Sequence, residues 1–100
     1  MYDLIVVIVP KHRDEEVMEA AQKAGAKGGT ILHGRSIQTS ECHQFLGLMI
    51  QPEKEIVLIL VDSNNTDKIL DEIESDLELN KPNNGIALVL DASEVIGLRG

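Results

Sequence analysis

Aromatic side chains are nearly missing from this 100-residue chain: it has no tryptophan, and Tyr2 and Phe45 are its whole aromatic content. Proteins that hold single-stranded nucleic acid stack bases on aromatic platforms, so that class is excluded. Basic residues are scarce as well. Nine Lys+Arg stand against 17 Asp+Glu, a net charge of −8, which is the wrong sign for gripping a phosphate backbone. No nucleic-acid partner is expected. The one cysteine, Cys42, has no internal partner for a disulfide, which points to a reducing, cytoplasmic compartment. Long apolar runs are also lacking. The longest, residues 4–9 and 56–61, are six residues each, against the roughly 20 that cross a bilayer. Met1-Tyr2-Asp3 carries no basic leader that would make the first run a signal peptide. No membrane insertion is expected.

What the chain does have is the balance of one folded domain over residues 1–100: 43% hydrophobic and 26% charged residues in 11.0 kDa. Residues 4–9 are an unbroken Val/Ile-rich run closed by Pro10, too short for an independent helix, and read as a strand. From 14 to 24 the period changes. Val17, Met18, Ala21 and Ala24 share one face and Glu15, Glu16, Glu19 and Lys23 the other, with Gly25 as stop signal. A glycine-marked strand is expected over 28–34, then a polar interval, an extension strand over 45–50 and a turn at Pro52-Glu53-Lys54. Residues 56–61 form the second apolar hexad. Asp62 to Asn65 open a helix with the stripe Ile69, Leu70, Ile73 and Leu77. After the loop Asn80-Lys81-Pro82-Asn83-Asn84-Gly85, residues 86–90 form the last strand and 93–99 a short tail. Strand, helix, two strands, helix, strand is the ferredoxin-like βαββαβ order of an α+β fold: a four-stranded antiparallel sheet with both helices on one face.

Two helices cover one face of such a sheet, and strands whose other face meets water alternate apolar with polar residues. Neither hexad alternates. Each turns three large apolar side chains to the uncovered face, at a forgone burial of roughly 1.5–3 kcal/mol apiece. The polar interval is a poor lid for such a patch, so an oligomer is expected.

Several chemistries that share this topology lack their residues here. Heavy-metal carriage needs paired thiolates near the first helix, and Cys42 is far from it. Acyl-phosphate hydrolysis needs a glycine-rich anion cradle; Arg13 is preceded by Pro10-Lys11-His12, which forms none. No serine has the context of a nucleophile elbow, so no catalytic residue is assigned. His12, His33, Cys42 and His43 are the candidate metal ligands. Adjacent side chains such as Cys42 and His43 rarely converge on one tetrahedral ion, so no metal is assigned. No neighbouring Lys or Arg would lower the Cys42 pKa and make it a redox-sensing thiol.

Three blocks carry a resemblance: Gly28-Gly29-Thr30-Ile31-Leu32-His33-Gly34-Arg35, then Gln51-Pro52-Glu53-Lys54-Glu55-Ile56-Val57-Leu58, then Lys81-Pro82-Asn83-Asn84-Gly85-Ile86-Ala87. In order and spacing the chain resembles the PII-type nitrogen-regulatory signal proteins, and more closely their short, divergent PII-like branch. The resemblance implies a ferredoxin-like homotrimer with the sheets facing inward. It also implies an adenine nucleotide (ATP, ADP or AMP) bound between subunits as an effector, with no obligatory cofactor. A mobile T-loop, here 35–51, would address a regulated enzyme, transporter or channel. Carried over residue by residue, Thr30 lies beside the adenine, and Gly34 and Arg35 open the T-loop. Lys81, Asn84 and Gly85 belong to the phosphate-cradling B-loop, and Arg99 is a C-terminal phosphate contact.

The departures are specific. Ile86 stands where a lysine is expected, Gly97 where the first C-terminal arginine is expected, and Asn83-Asn84 replace Gly-Asp. The interval 35–51 has no tyrosine, which rules out the familiar uridylylation. Two readings of 80–85 stay open, a nest of backbone N–H groups for phosphate or a tight helix-to-strand turn. The expectation is that Arg35, Lys81 and Arg99 meet in one anion-binding cleft. The alternative function is a small oligomeric enzyme, or a small-molecule or metal-binding protein, on the same fold.

Overall fold

In a computed structural model, residues 1–37, 43–45, 48–50 and 53–98 are described. The elements are β1 (Tyr2–Pro10), α1 (Asp14–Lys23), β2 (Thr30–Arg35), β3 (His43–Phe45), β4 (Leu48–Ile50), β5 (Glu53–Asp62), α2 (Thr66–Leu77) and β6 (Ile86–Ala92). Four strands form an antiparallel sheet in the order β2-β5-β1-β6. The expected βαββαβ arrangement is therefore present, with the two apolar hexads as the central strands.

Two local expectations are corrected. The single extension strand expected over 45–50 is a hairpin: β3 and β4 pair antiparallel, Phe45 opposite Leu48 and His43 opposite Ile50. Glu53 and Lys54, expected in a turn, begin β5 instead. Glu53 pairs with Arg35 and Lys54 with Gly34, and the Lys11 N–H donates to the Glu53 carbonyl. Partners on both sides outweigh a local composition that favours a turn.

Alternation of side chains across the sheet separates two layers. Ile5, Val7 and Val9 of β1 and Val57, Ile59 and Val61 of β5 are buried against the helices. They meet Val17, Ala20, Ala21 and Ala24 of α1 and Ile69, Ile73 and Leu77 of α2. The alanines of α1 keep its inward face small, and Lys23 ties α1 to α2 through Glu72 (3.1 Å) and Asp76 (3.0 Å). The opposite layer carries Leu4, Val6 and Ile8, then Ile56, Leu58 and Leu60, paired in register with Leu32, Ile86, Leu88 and Leu90. None of these ten is buried, and Leu90 is 51% exposed. An aliphatic face of this size lies open on the side away from the helices.

Candidate functional site

Register places the expected site residues. Pro10, Lys54 and Gly34 stand in one row across β1, β5 and β2, and Ile8, Ile56, Leu32 and Ile86 in a row two residues further on. The end of β2, the start of β5, the end of β1 and the start of β6 thus lie together at one end of the sheet. Gly34, Arg35 and the turn 81–85 all belong to that end. Arg35 and Lys81 are nevertheless at opposite edges, because β2 and β6 are three strand spacings apart, about 14 Å.

The turn into β6 is built by internal contacts. Glu78 ends α2 in a left-handed conformation (φ 52), and Asn83 (φ 68) and Gly85 (φ 138) repeat that sense. The Asn84 amide donates to the Leu77 carbonyl (3.3 Å) and the Glu78 carbonyl (2.9 Å), satisfying the end of α2. A side chain at Gly85 would meet the Ile8 carbonyl oxygen at 2.8 Å and Val9 at 2.9 Å. Lys81 Nζ sits 2.7 Å from Glu78 Oε1 and holds that carboxyl below the usual carboxylate range. Lys81 and Asn84 therefore have intramolecular partners, and Gly85 lies tight against β1, in keeping with the second of the two readings.

The β1–α1 connection at the same end is held by a β5 side chain that the sequence pattern alone had not singled out. Glu55, only 5% exposed, accepts the backbone N–H of His12 (2.7 Å) and of Asp14 (3.4 Å) on Oε1. Its Oε2 lies 3.6 Å from His33 Nδ1. His12 is held at φ 78 by this arrangement. The signal was present in the period: Glu55 shares the core phase of Val57, Ile59 and Val61. Lys11 Nζ pairs with Glu53 Oε2 at 2.7 Å. That hydrogen bond lowers the Glu53 pKa and raises that of Lys11, with the Arg35 charge adding to the effect on Glu53.

Thr30 belongs to a different place. It starts β2 four residues before Gly34, about 13 Å along the strand. It lines a groove of about 1030 Å³ with Gly29, Leu58, Asp62, Asn64 and Leu98. β5 runs on past its last pair with β2, Thr30 opposite Leu58, so residues 59–62 have a strand partner on one side only among the described residues. Gly29 lets the incoming chain lie against this edge: a Cβ there would meet Met18 Sδ at 2.8 Å and the Leu58 carbonyl oxygen at 3.0 Å. Arg99 lies outside the described residues, but its neighbour Leu98 lines this groove. Within one chain the expected residues are thus brought to two ends of the sheet. Cys42 and, within the interval 35–51, residues 38–41, 46, 47 and 51 also lie outside them; among the described residues no cluster of three His, Cys, Asp or Glu fits a metal ion.

This architecture defines a class first: an α+β protein of ferredoxin-like topology with an uncovered apolar sheet face and a groove at a strand edge. The family profile for nitrogen regulatory protein P-II matches residues 2–100, and the chain belongs to that family. The crystal structure of Arabidopsis thaliana PII bound to citrate superposes with a TM-score of 0.69 at 21% identity, covering 95% of this chain and 78% of that one. No curated protein matches the sequence significantly. The chain is thus a member of a family of signal-transduction regulators, and no helix among its described residues is long and apolar enough to cross a membrane.

Proposed function

We propose that this protein is a non-enzymatic, cytoplasmic regulator that binds an adenine nucleotide between subunits of a homotrimer. Residues 1–100 act as one domain, and segment 35–51 carries the signal to a regulated enzyme, transporter or channel. The observation that carries this reading is the division of the site. Thr30 and its groove lie at one end of the sheet, while Gly34, Arg35, Lys81, Asn84 and Gly85 lie at the other. Neither half encloses a ligand alone. A second copy packed through the open aliphatic face would bring the groove of one chain to the charged end of its neighbour. The single-sided edge of β5 offers backbone donors and acceptors to a flat heterocycle, and Leu58 and Leu60 offer apolar walls. A ligand held by two chains changes the energy of both, which is a route from binding to segment 35–51 at the mouth of β2.

The test combines a thermal-shift series with limited proteolysis. Adenosine, AMP, ADP and ATP are added separately to the full chain. Binding at 100 times the dissociation constant raises stability by about 2.7 kcal/mol and changes the rate of cleavage within 35–51. No nucleotide is turned over. If none of the four shifts the melting temperature or the cleavage rate, or if one of them is hydrolysed, the reading fails.

A further inference from the structure

We infer that the adenine site prefers a ligand of low charge, the nucleoside or its monophosphate, over the di- and triphosphate. The inference rests on the reading just proposed and narrows it. Its basis is the electrical balance of both half-sites. At the sheet end the described cations are Lys11, Arg13, Arg35, Lys54 and Lys81, and they share that end with Asp14, Glu15, Glu16, Glu53, Glu55 and Glu78. Lys11 is in direct contact with Glu53 and Lys81 with Glu78, both at 2.7 Å, and Arg13 with Glu16 at 2.9 Å. Arg35 stands opposite Glu53 in the β2–β5 register.

Exposed ion pairs are individually weak, so what decides the matter is the sum, and five cations against six acids leave no positive surplus for a polyphosphate. The turn adds nothing to make one up. The Asn84 amide is occupied by two carbonyls, and the next side chain, Ile86, is apolar and 53% exposed. Among the described residues that line the groove, Lys27 and Asp62 are the charged ones and cancel; the rest of the polar lining, including Tyr2, Thr30, Asn64 and Asn65, is neutral. A phosphate monoester brings about −1.5 to −2 charges at neutral pH, and each further phosphate adds to the repulsion from a chain of net charge −8. A site with apolar walls, an open backbone edge and balanced charge selects the base and ribose.

Isothermal titration of the full chain at one ionic strength, with adenosine, AMP, ADP and ATP as probes, decides this. The expected result is AMP or adenosine at least tenfold tighter than ATP, with ADP between. The double variant Glu53→Gln, Glu78→Gln keeps both side chains' size on the surface and frees Lys11 and Lys81. It should tighten ATP at least tenfold and leave adenosine unchanged. A preference under tenfold, or ADP or ATP binding tighter than AMP, overturns the inference and leaves the proposed function standing. Equal gains for ATP and adenosine in the double variant also overturn it, since charge would then not be the cause. No binding by any of the four at millimolar concentration removes the proposed function and the inference together.

Discussion

Glu55 shows how one side chain organises a connection. Its Oε1 accepts two backbone N–H groups from the turn between β1 and α1, one of them from His12 in a left-handed conformation. An N–H left unpaired in this half-buried setting costs about 1–3 kcal/mol, and a non-glycine residue held at positive φ adds to the strain. Glu55→Ala should therefore lower the stability by about 2–3 kcal/mol, read as a lower urea midpoint at unchanged slope. Glu55→Gln keeps an acceptor oxygen in place and should lose less than half of that. Equal losses in the two variants would mean that packing, not the hydrogen bonds, is what Glu55 supplies. At Gly85 the sequence already suggested a tight turn, but not the neighbour that requires glycine. The reason for glycine there is the Ile8 carbonyl 2.8 Å from where a Cβ would stand, a neighbour more than seventy positions away in the chain.

The two central strands behave as their composition dictated, and the structure assigns each residue of a hexad to a face. Leu58 lies on the open side, whereas Ile59 is fully buried beneath the helices. Leu58→Lys should leave the monomer fold intact by far-ultraviolet circular dichroism and abolish self-association in light scattering. Ile59→Lys buries an unpaired charge and should unfold the chain, in line with the several kcal/mol such burial costs. If Leu58→Lys remains associated like the wild type, the open face is not the contact surface.

The elements are also linked by exposed ion pairs: the turn after β1 to β5 through Lys11–Glu53, and α1 to α2 through Lys23–Asp76. Hydrogen bonds to these lysines depress the Glu53 and Asp76 carboxyls, and Arg13 does the same to Glu16. A depressed carboxyl binds fewer protons when folded than when unfolded. Its contribution is therefore complete above the unfolded value, about 4, and is lost as pH falls through the lower folded value. The urea midpoint should fall modestly between pH 5 and pH 3, and less at 1 M salt, where exposed pairs are screened. A midpoint that rises as the pH drops over that interval would contradict the pairing.

At the scale of the whole molecule, the expected particle is three times the 11.0 kDa chain. Ten aliphatic side chains on one face, each worth roughly 1.5–3 kcal/mol on burial, would drive the proposed association, and family membership favours three copies over two. Light scattering at micromolar concentration checks the mass, and a value near a single chain would end both the trimer and the shared ligand site. Segment 35–51 contributes the β3–β4 hairpin between β2 and β5, so a ligand at the Arg35 end would act at the base of that excursion.

The order of elements, the two buried central strands and the apolar stripes of both helices were legible in the sequence, because period and run length are local properties that a chain displays without folding. Thr30, Gly34, Arg35 and the 81–85 turn were legible as a pattern of residue types. Their arrangement was not. That Lys81 is matched by Glu78 and that Asn84 is spent on the end of α2 depend on the backbone geometry of the turn, and that Arg35 faces Glu53 depends on register between separate strands. Strand register is set by the joint burial of several faces at once, and only the assembled sheet decides it.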